Sequence, residues 1–296
     1  MNKIAVYGGL GNQMFQYALY LAFKQAGKDA KLSLSDFFYL YHHNGFNLYD
    51  AFQLQLDFTN GLQGKILAEA VPFYRNRAAV AVLRRAIPRY KKMRYKVYRE
   101  KKEFVYDPEV FEQDSKLITG TWQAETYFRD IKNVVARAFT FKVPQDAKNM
   151  AVIEEICRAE AISIHIRRGD FNSAGWEKSH HVIRDISYYN NALQYLKDRV
   201  QRPHYFIFSD DIPWVKQNLV LPNCTFIDHN KGKNSYADMY LMSLCKHNII
   251  ANSTFSWWGA WLNRHENKIV IMPEKWLNNN DCPGIFPQNW VQLPVQ

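Results

Sequence analysis

The amino-acid sequence predicts an α/β protein with two domains. Three observations support this class: an N-terminal strand that leads through a glycine turn into a helix, a polar stretch containing Pro144, and regular strand–helix alternation after that stretch. The length of 296 residues suits two domains or one large α/β domain. We place a boundary in the polar stretch 142–149 and predict domains 1–148 and 149–296.

The first predicted strand, 3–7, ends in the turn Gly8-Gly9-Leu10-Gly11-Asn12-Gln13, and a helix follows it. Three of the 13 glycines fall in this turn. They indicate a positive φ or a close approach of the backbone to another group, with simple tight packing as the alternative. The chain has neither a Walker A pattern nor a GxGxxG after a strand, which argues against a P-loop NTPase and a classical dinucleotide enzyme.

After this helix the pattern is mixed up to about residue 140, and only 117–122 is a clear strand. In the second half, strands and helices alternate. Strands are predicted at 161–166, 205–208, 224–227, 247–251 and 268–272, and helices at 188–200, 236–245 and 255–262. Such alternation favours a mainly parallel sheet, whose ligands lie at the carboxyl ends of its strands.

Composition and cysteine spacing narrow the class of protein. Hydrophobic residues make up 47% and charged residues 22%, which excludes disordered, collagen-like and coiled-coil chains. No apolar run has the roughly 18 residues of a membrane span, and glycines interrupt the N-terminal run too early for a secretory signal. The four cysteines form no CxxC pair, so we expect free thiols in the cytosol and no structural zinc.

The net charge of +10 is concentrated in one segment, 75–102, which has 12 Lys or Arg and one acid, Glu100. A solvated face and a surface attracted to an anionic membrane or lipid-linked acceptor both fit this segment. No nucleic-acid-binding motif accompanies the charge. We expect a cytoplasmic protein without a nucleic-acid partner, and peripheral contact with the inner membrane face through 75–102.

Two segments of the second half could bind a diphosphate. Strand alternation places His165 and Arg167 on one face, and the fork of Arg167 or Arg168 suits phosphate oxygens; alternatively one Arg pairs with Asp170. Donors at a helix N-terminus also bind anions, although simple N-capping is an equal alternative. The residues of that second segment are Ser253, Thr254, Phe255 and Ser256. Together the segments predict a diphosphate held from two sides.

Three acids stand where strands end or helices begin, namely Asp210, Asp211 and Asp238. They could be ligands of a nucleotide–Mg²⁺ complex, partners of ribose or guanine, or turn and cap residues. For Asp211, which precedes Ile212-Pro213, the cap role is favoured. The tryptophans 257, 258 and 261 are expected mainly in the core.

Four motifs occur in this order along the chain: the turn and helix start at 8–18, the segment 165–171, the strand end 208–211, and the helix 253–262. With these motifs in this order, the sequence resembles the bacterial α-1,2-fucosyltransferases of glycosyltransferase family eleven. The resemblance implies a GT-B-like architecture of two Rossmann-like domains facing a central cleft. It also implies that 149–296 holds GDP-fucose and 1–148 the acceptor.

The implied reaction is an inverting transfer of fucose from GDP-fucose to the 2-hydroxyl of a galactose, with no cofactor and no required metal. The family's HxRRxD-type motif maps onto His165, Arg167, Arg168 and Asp170. Arg167 would stabilise the leaving β-phosphate, assisted by Arg168, Ser253, Thr254 and Ser256, and Asp238 would contact the guanine edge. Fixed arginines and N–H donors can replace a metal there.

Asp170 and His165 are both candidates for the catalytic base. Alternatively, a loose transition state needs little help from a base. Asp170 could instead orient Arg167. Gly11, Asn12 and Gln13 are expected to contact acceptor or fucose. The sequence thus predicts a galactoside α-1,2-fucosyltransferase of glycan or surface-polysaccharide synthesis; another sugar-nucleotide transferase and a non-catalytic nucleotide-sugar- or glycan-binding module are the alternatives.

Overall fold

The computed structural model describes residues 1–34, 45–54, 56–58, 96–168, 182–183 and 185–295. These residues form two compact units: Met1–Lys142 with Pro283–Ile285, and Val143–Cys282 with Phe286–Gln296. The boundary predicted after residue 148 falls inside the first helix of the second unit. Asp170 and most of the basic segment, 75–95, lie outside the described residues. No described helix is long and apolar enough to cross a membrane.

The first unit contains a parallel sheet in the order β2-β1-β4-β3 over the described residues. Its strands are β1 (Asn2–Ala5), β2 (Ala30–Ser33), β3 (Lys96–Arg99) and β4 (Lys116–Thr119), and its helices are α1 (Leu10–Gln25), α2 (Leu48–Ala51) and α3 (Lys132–Ala138). The central strands bury Ile4 and Ile118 completely. Strand β3 had no clear sequence signal because it is an exposed edge strand.

The second unit contains a parallel sheet in the order β10-β9-β8-β5-β6-β7. Its strands are β5 (Glu160–Ile166), β6 (Pro203–Ser209), β7 (Cys224–Ile227), β8 (His247–Ile249), β9 (Val270–Pro273) and β10 (Val291–Leu293). Its described helices are α4 (Ala147–Arg158), α5 (Ser187–Lys197), α6 (Ile212–Asn218), α7 (Tyr236–Leu244) and α8 (Thr254–Leu262). Two parallel α/β units confirm the predicted α/β, GT-B-like class; the cleft between them stays a prediction.

Strand β5 is the centre of the second unit. Ile162, Ile164 and Ile166 pack into one apolar cluster, whereas Ala161 packs into a second cluster with Phe206. Because both faces are covered, β5 is an almost continuous apolar run. Its register with β6 pairs residue 165 with 208 and residue 166 with 209, so the residues that follow the two strands are neighbours.

Helix α8 carries three tryptophans, of which Trp257 and Trp258 are fully buried. The Trp258 ring lies edge-on to Trp261 with centroids 5.2 Å apart, and Trp257 also contacts Trp290 at 5.4 Å. The predicted core role of Trp257 and Trp258 is therefore confirmed. Their packing fixes the direction in which the N-terminus of α8 faces.

Candidate active site

The order of strands in the second unit reverses at β5. The chain runs outward through β6 and β7, then returns to place β8 on the opposite side of β5. Doubly wound sheets bind ligands at such a reversal, outside the carboxyl ends of the strands. Arg167-Arg168 and Asp210-Asp211 directly follow β5 and β6, and Asn252-Ser253 follow β8 after two intervening residues. These segments include the predicted diphosphate contacts.

Asp210 holds both arginines at the end of β5. Its Oδ2 lies 3.2 Å from Nε of Arg167, and its Oδ1 accepts a hydrogen bond of 2.9 Å from the backbone N–H of Arg168. One carboxylate therefore uses both oxygens to fix two consecutive residues. This contact follows from the register of β5 and β6 and positions the arginine pair before any ligand binds.

The guanidinium of Arg168 is held by the turn after β6 and the start of α6. Its carbon lies 3.7 Å from the ring centroid of Trp214, and its Nε lies 3.5 Å from Oδ2 of Asp211. This is an ion-pair distance; the Nε is buried and makes no hydrogen bond in the described part of the chain. Asp211 also accepts the N–H of Trp214 at 3.2 Å, so its predicted cap role is confirmed.

His165 is buried beside the arginine pair. Its ring centroid lies 6.0 Å from that of Phe255, and its carbonyl accepts the hydroxyl of Tyr189 at 3.1 Å. Burial, and secondarily the charge of Arg167, lower the pKa of His165 to about 3. The ring is therefore neutral at physiological pH and a weak proton acceptor. Its Nδ1 has no hydrogen-bond partner among the described residues.

The N-terminus of α8 follows β8. Ser253 is extended, and its side chain makes no capping hydrogen bond, contrary to the simple N-capping alternative. Its carbonyl accepts the N–H of Trp257 at 3.0 Å and the hydroxyl of Ser256 at 3.3 Å. Ser256 is fully buried, whereas Thr254 and Phe255 are partly exposed. The positive end of the helix dipole lies here.

Asp238, in the first turn of α7, ends a half-buried polar network. Its Oδ1 accepts the Asn230 amide at 2.8 Å, and Asn230 exchanges two hydrogen bonds, of 2.8 and 2.9 Å, with Asn149. Burial raises the pKa of Asp238 to about 7. His229 contacts Asn149 at 3.1 Å. Sequence reasoning missed Asn149 and Asn230 because each has its partner 81 residues away and no local signal.

The glycine turn of the first unit is shorter than predicted, because α1 begins at Leu10. Gly8 has φ +81, which confirms the predicted positive φ at this turn. Gly11, Asn12 and Gln13 lie in the first helical turn. The fully buried Gln13 donates to the carbonyls of Gly8 and Gly45, each at 2.8 Å, and accepts a backbone N–H at 2.9 Å. A substrate contact through Gln13 would require one of these bonds to open.

The ends of β1 and β4 are joined by side chains. Gln123 donates to Oδ1 of Asn12 at 3.1 Å, and Gln16 accepts the N–H of Tyr7 and donates to the carbonyl of Gly120. The strand order of this sheet reverses between β1 and β4, which makes these contacts a second candidate position for a ligand. Asn12 lies at this candidate position. Gln123 was not singled out from the sequence.

The described residues contain no group of three or more His, Cys, Asp or Glu side chains placed to hold a metal ion. Arg167, Arg168, Asp210, His165 and the start of α8 lie along the carboxyl ends of the neighbouring strands β6, β5 and β8. Asp238 follows β7 at the same edge of this sheet. Gly11, Asn12 and Gln13 belong to the first unit.

The model of Glycosyl transferase family 11 matches residues 88–294. The chain is 32% identical over 293 residues to Alpha-1,2-colitosyltransferase of Escherichia coli, covering 97% of this chain and 96% of the relative. It is 30% identical over 304 residues to O-antigen biosynthesis glycosyltransferase WbnK of Escherichia coli, covering 97% and 98%. Galactoside alpha-(1,2)-fucosyltransferase 1 of Homo sapiens is 23% identical over 146 residues, covering 46% and 40%.

Proposed function

This chain belongs to glycosyl transferase family 11, and from that premise we propose that it is a galactoside α-1,2-fucosyltransferase. It transfers L-fucose from GDP-fucose, with inversion, to the 2-hydroxyl of a terminal galactose during glycan or surface-polysaccharide synthesis. The observation that carries the proposal is the position of the Asp210-anchored arginine pair, at the strand-order reversal of the second sheet and next to the start of α8.

The reaction breaks the bond between fucose C1 and the β-phosphate oxygen and forms a bond from C1 to the acceptor oxygen. Negative charge develops on the departing GDP, so cations and N–H donors fixed beside the diphosphate stabilise the transition state. Arg167 and Arg168 are fixed in this way by the turn after β6. The helix dipole of α8 adds a favourable potential for an anion. These groups can stabilise the leaving group without a metal.

We assign the guanine edge to Asp238. Guanine offers two neighbouring N–H donors, and an ionised carboxylate accepts both. Asn230 already donates to Oδ1 of Asp238, and the reciprocal pair between Asn230 and Asn149 holds that amide in place. The carboxylate is therefore oriented before the nucleotide binds.

The acceptor position is the joined end of β1 and β4 in the first unit, with Asn12 and Gly11 as contacts. The hydrogen bond that Gln123 donates to Oδ1 of Asn12 fixes the orientation of the Asn12 amide. The acceptor hydroxyl must lose its proton. His165 is too weak an acceptor for this task, with its pKa lowered to about 3 by burial. Asp170 stays the candidate base from the sequence, with a loose transition state as the alternative.

The direct test incubates purified protein with GDP-fucose and lactose in EDTA and analyses the linkage of the product. A fucose linked to the galactose 2-hydroxyl is expected. The variant Arg167→Ala should lower kcat by roughly 100-fold or more, as for loss of one charge-stabilising donor. Arg158→Ala is the matched control, because Arg158 also lies 3.2 Å from a carboxylate, on the exposed surface of α4.

Three results would contradict the proposal in different ways. GDP binding without turnover would indicate a nucleotide-sugar-binding module. Turnover with another linkage would remove the α-1,2 assignment. An equal effect of Arg158→Ala and Arg167→Ala would remove the role given to Arg167.

A second candidate donor is GDP-colitose. One finding supports it: the chain is 32% identical, over nearly its whole length, to the relative named as a colitosyltransferase. Colitose is fucose without its 3-hydroxyl. A site that hydrogen-bonds this hydroxyl discriminates strongly against the sugar that lacks it. The kcat/KM values for GDP-fucose and GDP-colitose should be compared directly; a preference for GDP-colitose would replace the fucose assignment.

A further inference from the structure

Arg168 is held on two sides in the second unit. The indole of Trp214 covers one face of its guanidinium at 3.7 Å, and the carboxylate of Asp211 lies 3.5 Å from Nε. The Arg168 side chain is only 19% exposed. Neither of its terminal Nη nitrogens has a hydrogen-bond acceptor in the described ranges, and neither is fully buried. Within the described part of the chain, Asp211 therefore faces the Nε side of this guanidinium, and its terminal edge has no hydrogen-bond partner.

Trp214 is fixed by the same carboxylate that faces Arg168. Oδ1 of Asp211 accepts the Trp214 N–H at 3.2 Å, while Oδ2 faces the guanidinium. The indole also packs against the apolar cluster that includes Val215. The three residues form a closed arrangement in which the plane of the guanidinium cannot turn without unstacking the indole.

The plane of an arginine matters for binding phosphate. A guanidinium binds two phosphate oxygens with two parallel N–H groups, which requires the fork to face the anion. A long side chain that is already ordered loses less conformational freedom when the ligand binds. Stacking on tryptophan supplies such order and keeps the charge of the arginine.

We propose that Trp214 is a positioning residue for the donor diphosphate. It acts through Arg168, whose terminal nitrogens it presents to phosphate oxygens, and it sets affinity for the diphosphate and not for the nucleoside. The inference rests on the proposed function, since it takes GDP-fucose as the donor. It adds to the predicted site a residue that contacts no substrate.

The first experiment compares GDP and guanosine as ligands of Trp214→Leu, with calorimetry for GDP and ligand-observed NMR for guanosine. Leucine keeps apolar packing and removes the π face. GDP affinity should fall about tenfold while guanosine affinity stays within about twofold of wild type. Trp214→Phe should recover most of the GDP affinity. If the leucine variant does not fold, Trp214→Met provides a second apolar side chain without a π face.

The second experiment is a double-mutant cycle with Arg168→Ala. If Trp214 acts through Arg168, Trp214→Leu should weaken GDP binding in the wild-type background and have almost no effect in the Arg168→Ala background. Tyr195→Leu is the matched control. Tyr195 of α5 stacks with Arg199, just beyond the helix, at 3.9 Å and packs against the same apolar cluster as Trp214. This control should bind GDP as the wild type does.

The outcomes separate the inference from the proposed function. Wild-type protein that does not bind GDP overturns both. Wild-type protein that binds GDP, with Trp214→Leu binding equally well, overturns the inference alone. Equal losses of GDP and guanosine affinity, or an undiminished effect in the Arg168→Ala background, would show that Trp214 only supports the fold.

Discussion

The carboxylate of Asp210 lies 3.2 Å from Nε of Arg167, at the carboxyl ends of two adjacent parallel strands. Its other oxygen accepts the backbone N–H of Arg168, so one side chain fixes the Arg167 guanidinium and the backbone of the next residue. The negative charge of Asp210 weakens the positive potential at the proposed diphosphate site. Asp210 contributes orientation of Arg167 instead.

Asp210→Asn should lower kcat/KM for GDP-fucose by about 10- to 100-fold. The amide cannot pair with Arg167 as a charge, and the guanidinium loses its fixed direction. Steady-state kinetics with varied donor measures the effect. Glu154→Gln is the matched control, since Glu154 pairs with exposed Arg158 at the same distance of 3.2 Å. Unchanged kcat/KM in Asp210→Asn would contradict this role.

Asp238 should make donor affinity depend on pH. Burial raises the pKa of Asp238 to about 7, so much of this carboxyl is protonated in the free protein at neutral pH. Only the ionised form accepts both guanine donors. GDP-fucose affinity should therefore fall by up to about tenfold per pH unit below 7 and level off above 8.

Two variants test the assignment of this titration. Asp238→Asn should remove the pH dependence. Asp228→Asn should move its midpoint to lower pH, because the charge of exposed Asp228 contributes to the raised pKa of Asp238. Binding measured with GDP-fucose from pH 5.5 to 8.5 avoids the phosphate ionisation of free GDP. An identical profile in Asp238→Asn would assign the titration elsewhere.

The same buried carboxyl should cost stability at high pH. The unfolded chain ionises Asp238 near its ordinary pKa of 3.8, whereas the folded protein retains the proton up to about pH 7. Stability from this group is thus lost as pH rises from 4 to 7. Asp238→Asn should be more stable than wild type at pH 8, by about 1–3 kcal/mol. Calorimetry at pH 4 and pH 8 measures the difference, which should shrink at the lower pH.

Two glycines with positive φ allow the effect of backbone strain to be measured separately from the effect of side-chain crowding. Gly8 and Gly27 have φ values of +81 and +69, so alanine at either position should cost about 1–2 kcal/mol. A Cβ at Gly8 would also lie 3.0 Å from Nδ2 of Asn12, whereas a Cβ at Gly27 meets nothing within 4 Å.

Gly8→Ala should therefore raise KM for the acceptor in addition to lowering stability, because the Asn12 side chain has to move. Gly27→Ala should lower stability alone. Chemical denaturation and acceptor-dependent kinetics of both variants provide the comparison. Equal acceptor KM values would exclude Asn12 from the acceptor site.

His165 should contribute to loss of stability in acid. Burial lowers the pKa of His165 to about 3 in the folded protein, and the unfolded chain binds its proton near pH 6.5. Stability from this group is present above pH 6.5 and lost as pH falls toward 3, by up to about 1.4 kcal/mol per pH unit. Denaturation of His165→Gln at several pH values should show a shallower acid limb; an unchanged slope would refute the assignment.

Local patterns predicted much of the second sheet. The strand Cys224–Ile227 has the predicted bounds, and Tyr236–Leu244 differs from its prediction by one residue. Short apolar runs between polar turns are enough to predict these elements, because the spacing of apolar residues differs between strands and helices. The Arg167-Arg168 pair was identified for the same reason, because it directly follows a strong strand signal.

The proposed acceptor side was harder to predict because its contacts join distant segments. Gln13 looked like a ligand contact in the sequence, yet its amide is used by the carbonyls of Gly8 and Gly45. Its neighbour Asn12 pairs with Gln123, which is 111 residues away. Strand β3 is exposed except at Tyr98, so its residues show no alternation between a buried and an exposed face.

The sequence by itself determined the α/β class, most strands of the second unit and the chemistry of the arginine pair, because each depends on residues within one element. Only the tertiary structure decided which groups surround that pair. The register of β5 with β6 brings Asp210 to Arg167 and Trp214 to Arg168, and the fold brings Asn149 to Asn230. Such pairings depend on how strands align across the sheet, and no local periodicity records that alignment.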